Sequence, residues 1–228
     1  KEPGGNVWIC SRNGLYRFNG DFLHHFTEKP FENKRVFSAA PDTDGNLWIM
    51  TNDHLIVKRA GSKEFEEVRS PKDSTLVLLS MCCNKDYVWF GGVGRIFRYS
   101  DKDRSLTEFC KLEKKDFRIK NMHITGKNEI ICCSHNGTIL VDMNTGEFRT
   151  TPYTSRGVSA SFIDSKGRLW LAYYNNGIEV YDTDGRTLRK YNVSNSDLSS
   201  DIVLCMTERE GVIWAGTDGG GLNLIDLD

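Results

Sequence analysis

The chain has 228 residues, 39% hydrophobic and 11% aromatic, enough for a buried core in one large domain or two small ones. Lys and Arg number 30 against 31 Asp and Glu, a net charge of −1, which excludes the clustered cationic excess of a nucleic-acid partner. No apolar run approaches the roughly 20 residues of a membrane helix, so membrane attachment is expected only through segments outside this chain.

In chain order, the first element is a strand in "GNVWICS" from Gly5, and a glycine turn at Asn13-Gly14 leads to strands in "LYRF" and "DFLHHF". A second group reads "RVFSAA", a turn from Asp42 to Gly45, "GNLWIMT", "LIVK" and "KEFEEV". A third reads "TLVLLSMCC", "DYVWFGG", "IFRYS" and "SLTEFC". The fourth reads "FRIKNMHIT", "NEIICCS", a turn at Asn136-Gly137, "ILVD" and "GEFRT"; here Ile131 stands where the other groups have tryptophan. The fifth reads "VSASFID", a turn from Asp164 to Gly167, "GRLWLAY", a turn at Asn176-Gly177, "IEVYD" and "TLRKY". The sixth reads "DIVLCMTE", "GVIWAGT", a Gly219-Gly220-Gly221 turn and "LNLID". Asn-Gly predicts two-residue hairpins with positive φ at both central residues. Helical periodicity is weak throughout.

With the tryptophan position as ruler, the marks fall at 8, 48, 89, 131, 170 and 214, in steps of 40, 41, 42, 39 and 44. A period near 40 with four short strands per repeat predicts an all-β fold, a β-propeller of four-stranded antiparallel blades. The first group lacks a leading strand and the last stops after its third, giving four full and two incomplete blades over residues 1–228. The opening "KEPGGNVW" already lies inside a repeat copy, so the chain reads as a segment of a larger propeller region. A blade cannot bury both faces alone, and stacking against its neighbours does so. The recurrent tryptophan is therefore expected between blades, in particular Trp48, Trp89 and Trp170. The residue two places later is Cys10, Gly91, Cys133, Ala172 or Gly216, as if a small side chain were wanted there.

Seven cysteines, with Cys82-Cys83 and Cys132-Cys133 adjacent, form no metal or redox motif and read as small buried hydrophobes without disulfides. Asp42-Thr43-Asp44-Gly45 and Asp182-Thr183-Asp184-Gly185 invite a calcium reading. Their glycine comes at position 4 and the bidentate glutamate is absent, so hairpin turns explain them. His24, His25, His54, His123 and His135 are scattered, and no nucleophile elbow or P-loop occurs. No catalytic residue, metal site or cofactor is expected.

The repeat can be written D-x-x-G-x-(L/V/I)-W-(I/L/F/A)-(G/A/C/M)-(T/S), then a glycine turn, then L-x-x-(Y/I)-D. Its clearest copy is "GVIWAGTDGGGLNLIDLD". This pattern resembles the two-component regulator propeller repeat of the periplasmic sensor regions of Bacteroides-type hybrid two-component systems. The resemblance is strongest at Trp214 to Asp226 and Asp164 to Asp182, and weakest at Asn128 to Ser134 and Asp53-His54. It implies two consecutive propellers outside the inner membrane, then a small sandwich domain and a membrane helix. A histidine kinase and response regulator would follow inside. It also implies a homodimer that detects oligosaccharides. No kinase chemistry would belong to this segment itself.

The turns between second and third strands are expected at one end of the blades. They carry Arg12, Asn13, His54, Arg95, His135, Tyr173, Tyr174 and Asn175, and Tyr173 replaces the usual Thr or Ser. Aromatic faces with planar hydrogen-bonding side chains suit sugars. Arg12, His54, Arg95, His135, Tyr173, Tyr174 and Asn175 are thus candidate ligand-binding residues, the ligand class coming from the resemblance. Two other function classes stand beside a sensor. A lyase resembling the streptogramin lyase group would need convergent His, Glu and Arg with a metal. A WD-type interaction scaffold would need Trp-Asp, yet tryptophan is never followed by aspartate here.

Overall fold

A computed structural model describes residues 5–68, 77–113, 116–151 and 157–226. The described residues contain 22 strands and no helix, and the chain divides into two compact units, Lys1–Asp116 and Phe117–Asp228.

The first unit holds three antiparallel blades. Blade one is β1 (Val7–Ser11), β2 (Gly14–Phe18) and β3 (Leu23–Phe26). Blade two is β4 (Val36–Pro41), β5 (Leu47–Thr51), β6 (Leu55–Lys58) and β7 (Glu66–Val68). Blade three is β8 (Leu78–Cys83), β9 (Val88–Gly92), β10 (Arg95–Ser100) and β11 (Ser105–Lys111).

The second unit also holds three. Blade four is β12 (Asn121–Ile124), β13 (Glu129–Ser134), β14 (Gly137–Asp142) and β15 (Phe148–Thr150). Blade five is β16 (Val158–Ile163), β17 (Leu169–Tyr173), β18 (Gly177–Tyr181) and β19 (Thr187–Tyr191). Blade six is β20 (Val203–Arg209), β21 (Val212–Thr217) and β22 (Gly221–Asp226). Every blade is a meander in chain order. Four are four-stranded and two three-stranded, the propeller architecture expected from the repeat. The start of the "TLVLLSMCC" run and the chain's first four and last two residues lie outside the described residues.

Strand alternation explains why both faces of a blade are apolar. In blade five, Trp170, Ala172, Ile178 and Val180 pack with Val203, Ile213 and Ala215 of blade six. The intervening Leu169, Leu171, Tyr173 and Tyr181 pack with Ile131, Cys133 and Leu140 of blade four. Successive side chains point to opposite faces, so each face meets one neighbour. Trp48, Trp89 and Trp170 are at most 1% exposed, with Trp48 in the core between blades two and three and Trp170 in that between blades five and six, whereas Trp8 and Trp214 are half-buried.

Two local expectations need correction. In the hairpins at Asn13-Gly14 and Asn136-Gly137 only the glycine has positive φ, 117° and 115°. These turns are thus not the kind in which both central residues are left-handed. The position two after the tryptophan does not demand a small residue either, because Met50 fills it in blade two, fully buried. Where it is small, the neighbour can lie in the same blade: a Cβ on Gly216 would sit 2.8 Å from Cys205 Sγ.

Two devices recur. The first strand of blades two, three, five and six carries an irregularity between Val36/Ser38, Leu78/Ser80, Val158/Ala160 and Val203/Cys205. A bulge at that place bends the strand and re-aims its side chains. The extra residue in blade five, Ser159, donates its hydroxyl to Val203 O of blade six at 2.8 Å. The second device is the Asp-x-x-Gly turn. Asp42 Oδ1 accepts the backbone N–H groups of Asp44 and Asn46, and Oδ2 accepts Trp48 Nε1 at 2.7 Å. Asp164 treats Lys166, Arg168 and Trp170 the same way. Gly45 and Gly167 close these turns at φ 80° and 77°. In blade three the turn is one residue shorter and starts at Asn84, and Trp89 Nε1 has no partner among the described residues.

Candidate functional site

Antiparallel pairing places the hairpin between second and third strands at the same end of a blade as the start of its first strand. In blade five, for example, Val158 pairs with Tyr173. The opposite end carries the first and last turns of the blade, among them the Asp-x-x-Gly turns. Asp42 is there fully used by turn and indole donors, which accounts for its sequence motif without a cation. Among the described residues no group of three or more His, Cys, Asp or Glu side chains is placed to hold a metal ion.

In the first unit the middle hairpins bear three of the sequence-predicted residues. Arg12 is exposed in the turn after β1. His54 sits in a cluster: its Nδ1 is 2.8 Å from Asp53 Oδ1 and 3.1 Å from Lys34 Nζ, and Lys34 also pairs with Asp53. Burial would raise the Asp53 carboxyl, but bonds from Lys34, His54 and Thr51 hold it below the usual carboxylate range. Arg95 opens β10 and pairs with Glu108 at 3.3 Å.

In the second unit His135 is exposed on the hairpin of blade four, and Tyr174 and Asn175 lie on that of blade five. Asn175 takes positive φ, 58°, and lifts the turn so that Tyr174 is 45% exposed. Gly177 then leads into β18 at φ 67°, and a Cβ there would lie 2.0 Å from Tyr191 O. Tyr173 is not on the turn. It is the last residue of β17, 1% exposed, with its hydroxyl 3.0 Å from that of Tyr181, which in turn donates to buried Glu179. Its ring packs in the core between blades four and five, out of reach of a ligand at the turn.

Lys34 and Lys120 are partners that reading the turns alone leaves out. Lys120 donates to Tyr174 Oη at 3.2 Å, with its ammonium 6.0 Å from the ring centroid. Both lysines precede the first strand of a blade, where the connecting chain arrives at the middle-hairpin end. The hairpin ends therefore present cation-supported aromatic and imidazole groups. Their free faces can stack on a ring and exchange hydrogen bonds with hydroxyl groups.

Comparison with known proteins bears on what such blades belong to. Residues 30–53, spanning β4, β5 and the turn before them, match the family model of the two component regulator propeller. One such repeat is thus matched, within blade two. The match falls on blade two, where the sequence had pointed to blades five and six. Comparison with curated proteins finds no match.

Among solved structures, the extracellular domain of a putative hybrid two component system from B. thetaiotaomicron is similar with 19% identity and a TM-score of 0.61. That similarity covers 98% of this chain and 37% of that one. PorZ, a surface component of the type-IX secretion system of Porphyromonas gingivalis, has 16% identity and a TM-score of 0.78, over 97% of this chain and 37% of its own. Virginiamycin B lyase from Staphylococcus aureus has 16% identity and a TM-score of 0.74, over 99% of this chain and 82% of its own. Identities this low establish the shared propeller fold alone.

Proposed function

We propose that this chain is an extracytoplasmic sensing segment of a hybrid two-component system. It acts by binding rather than by catalysis, takes an oligosaccharide at the middle-hairpin end of its blades, and signals by rearrangement of a homodimer to a kinase outside this segment. The observation that carries the reading is the two-component regulator propeller match at residues 30–53. The similarity to an extracellular sensor domain supports a periplasmic location. The Lys120–Tyr174 pair and the Lys34–Asp53–His54 cluster supply an aromatic face and polar groups suited to sugar hydroxyls.

The test uses the intact sensor region. A panel of glycan oligosaccharides is titrated by calorimetry, first on the unaltered region and then with Tyr174→Ala and Arg95→Ala. Binding that weakens in Tyr174→Ala supports a site at the blade-five hairpin, and binding that weakens in Arg95→Ala supports one at the blade-three hairpin. Binding that neither variant changes moves the site elsewhere, and an intact region that binds no glycan favours a protein-interaction scaffold instead.

A further inference from the structure

Blade four departs from the repeat at its centre. In blade two, Trp48 fills the wedge against blade three, its ring centroid 4.7 Å from Tyr99 and 5.4 Å from Phe90. Its Nε1 bonds Asp42, and the Arg59 guanidinium covers the ring at 5.7 Å. Pairing of Trp48 with Val57 and of Ile131 with Leu140 aligns the two blades residue by residue. Ile131 then stands for Trp48, Thr125 for Asp42 and Asp142 for Arg59. None reproduces what it replaces, and Asp142 Oδ1 is occupied by the backbone N–H groups of Asn144 and Thr145.

The consequence is a cleft of about 480 Å³ between blades four and five, against about 170 Å³ for the corresponding groove between blades two and three. Its floor is Ile131, Leu140, Ile163 and Leu169. Its rim carries two ion pairs, Lys127–Asp184 at 3.1 Å and Arg149–Glu129 at 2.7 Å. Protein interiors close-pack, and apolar walls facing a void lose dispersion contacts. A ring seated on the apolar floor would restore those contacts. The space is a slot between two sheets, which a flat ring entering edge-on fills, as the indole of Trp48 does in blade two.

We propose that this cleft binds a planar aromatic small molecule of one or two rings, the size of the indole that other blades supply from their own chain. The apolar floor takes the ring, and the paired charges at the rim take a polar substituent. The cleft lies at the opposite end of the blades from the middle hairpins, so the inference does not rest on the sensor reading.

The test titrates the unaltered chain with indole, following the isoleucine methyl resonances. Saturable ring-current shifts at Ile131 and Ile163 are expected, together with a rise in melting temperature. Ile131→Trp and Ile163→Trp fill the slot from opposite walls, and each is expected to weaken indole binding roughly tenfold or more. Leu188→Trp, on an exposed outer strand, is expected to leave binding unchanged. Circular dichroism checks that each variant folds, and the methyl shifts of the unaltered chain decide if a filled variant does not. Absence of saturable shifts at both methyls overturns the proposal, as does undiminished binding in both folded, filled variants.

Discussion

The indole Nε1 of Trp170 donates to Asp164 Oδ2 at 2.8 Å, joining the core ring to a turn residue six positions earlier. The same oxygen accepts Arg168 Nε at 2.6 Å, while Oδ1 holds the Lys166 and Arg168 backbone N–H groups. One carboxylate thus shapes the hairpin and fixes the orientation of the ring between blades. Burial would raise the Asp164 carboxyl, but the Trp170 and Arg168 bonds hold it below its ordinary value. Asp164→Ala leaves a buried indole N–H without an acceptor and is expected to cost about 2–4 kcal/mol. Asp182→Ala removes the same turn bonds but no indole, and is expected to cost about 1 kcal/mol. Urea unfolding of both variants measures the difference, and equal losses would mean that the indole bond contributes nothing.

The ring itself contributes more than its hydrogen bond. Trp170 is fully buried among Ala172, Ile178, Val180, Val203 and Ile213. Trp170→Ala is expected to cost roughly 3–5 kcal/mol, the range for deleting a large buried aromatic. A loss below about 1 kcal/mol in equilibrium unfolding would show that the ring is not core. Trp214→Ala, at a half-buried ring, is expected to cost less.

Blade order and strand content were legible because the tryptophan spacing and the period-2 alternation repeat independently of local detail. The hairpin ends were only partly legible. Tyr173 belongs to the strand and not to the turn: β17 runs through it, and alternation turns Tyr173 inward and Tyr174 outward. Lys34 and Lys120 sit on connections between blades; the pairing of β4 with β5 brings Lys34 beside His54, and the stacking of blades four and five brings Lys120 beside Tyr174. The cleft left a trace in the sequence. Ile131 for tryptophan and Thr125 for aspartate are both visible, but Asp142 is informative only once register aligns it with Arg59.

All seven cysteines are free, and their surroundings differ sharply. Cys205 is exposed, whereas burial pushes the Cys133 thiol up to about 12 and that of Cys10 to about 11. The thiolate is the reactive form, so Cys205 is expected to give the fast phase with a thiol reagent near pH 8. Cys205→Ser should remove that phase, and denaturant should release the full set without reductant. Labelling of Cys133 as fast as Cys205 in native protein would contradict the packing between blades four and five. An oxidised pair in the unfolded protein would overturn the assignment of free thiols.

His123 couples the second unit to pH. It lies on β12 with Nε2 2.8 Å from Ser161 Oγ on β16, a hydrogen bond across the blade interface. Burial lowers its pKa to about 4 from 6.5, outweighing the opposing bond to the Ser161 backbone. Between those values the unfolded chain binds the proton and the folded chain does not, so stability falls as pH drops from about 6.5 to about 4. The expected loss from this side chain is about 1–3 kcal/mol, complete below the folded value. His123→Gln keeps a polar group at Ser161 without titrating there and is expected to flatten the stability profile over that window. Urea midpoints at several pH values compare the two proteins, and the His123 imidazole shift gives its titration directly. An unchanged slope in His123→Gln, or an imidazole that titrates near 6.5, would show that this side chain is hydrated in the folded protein.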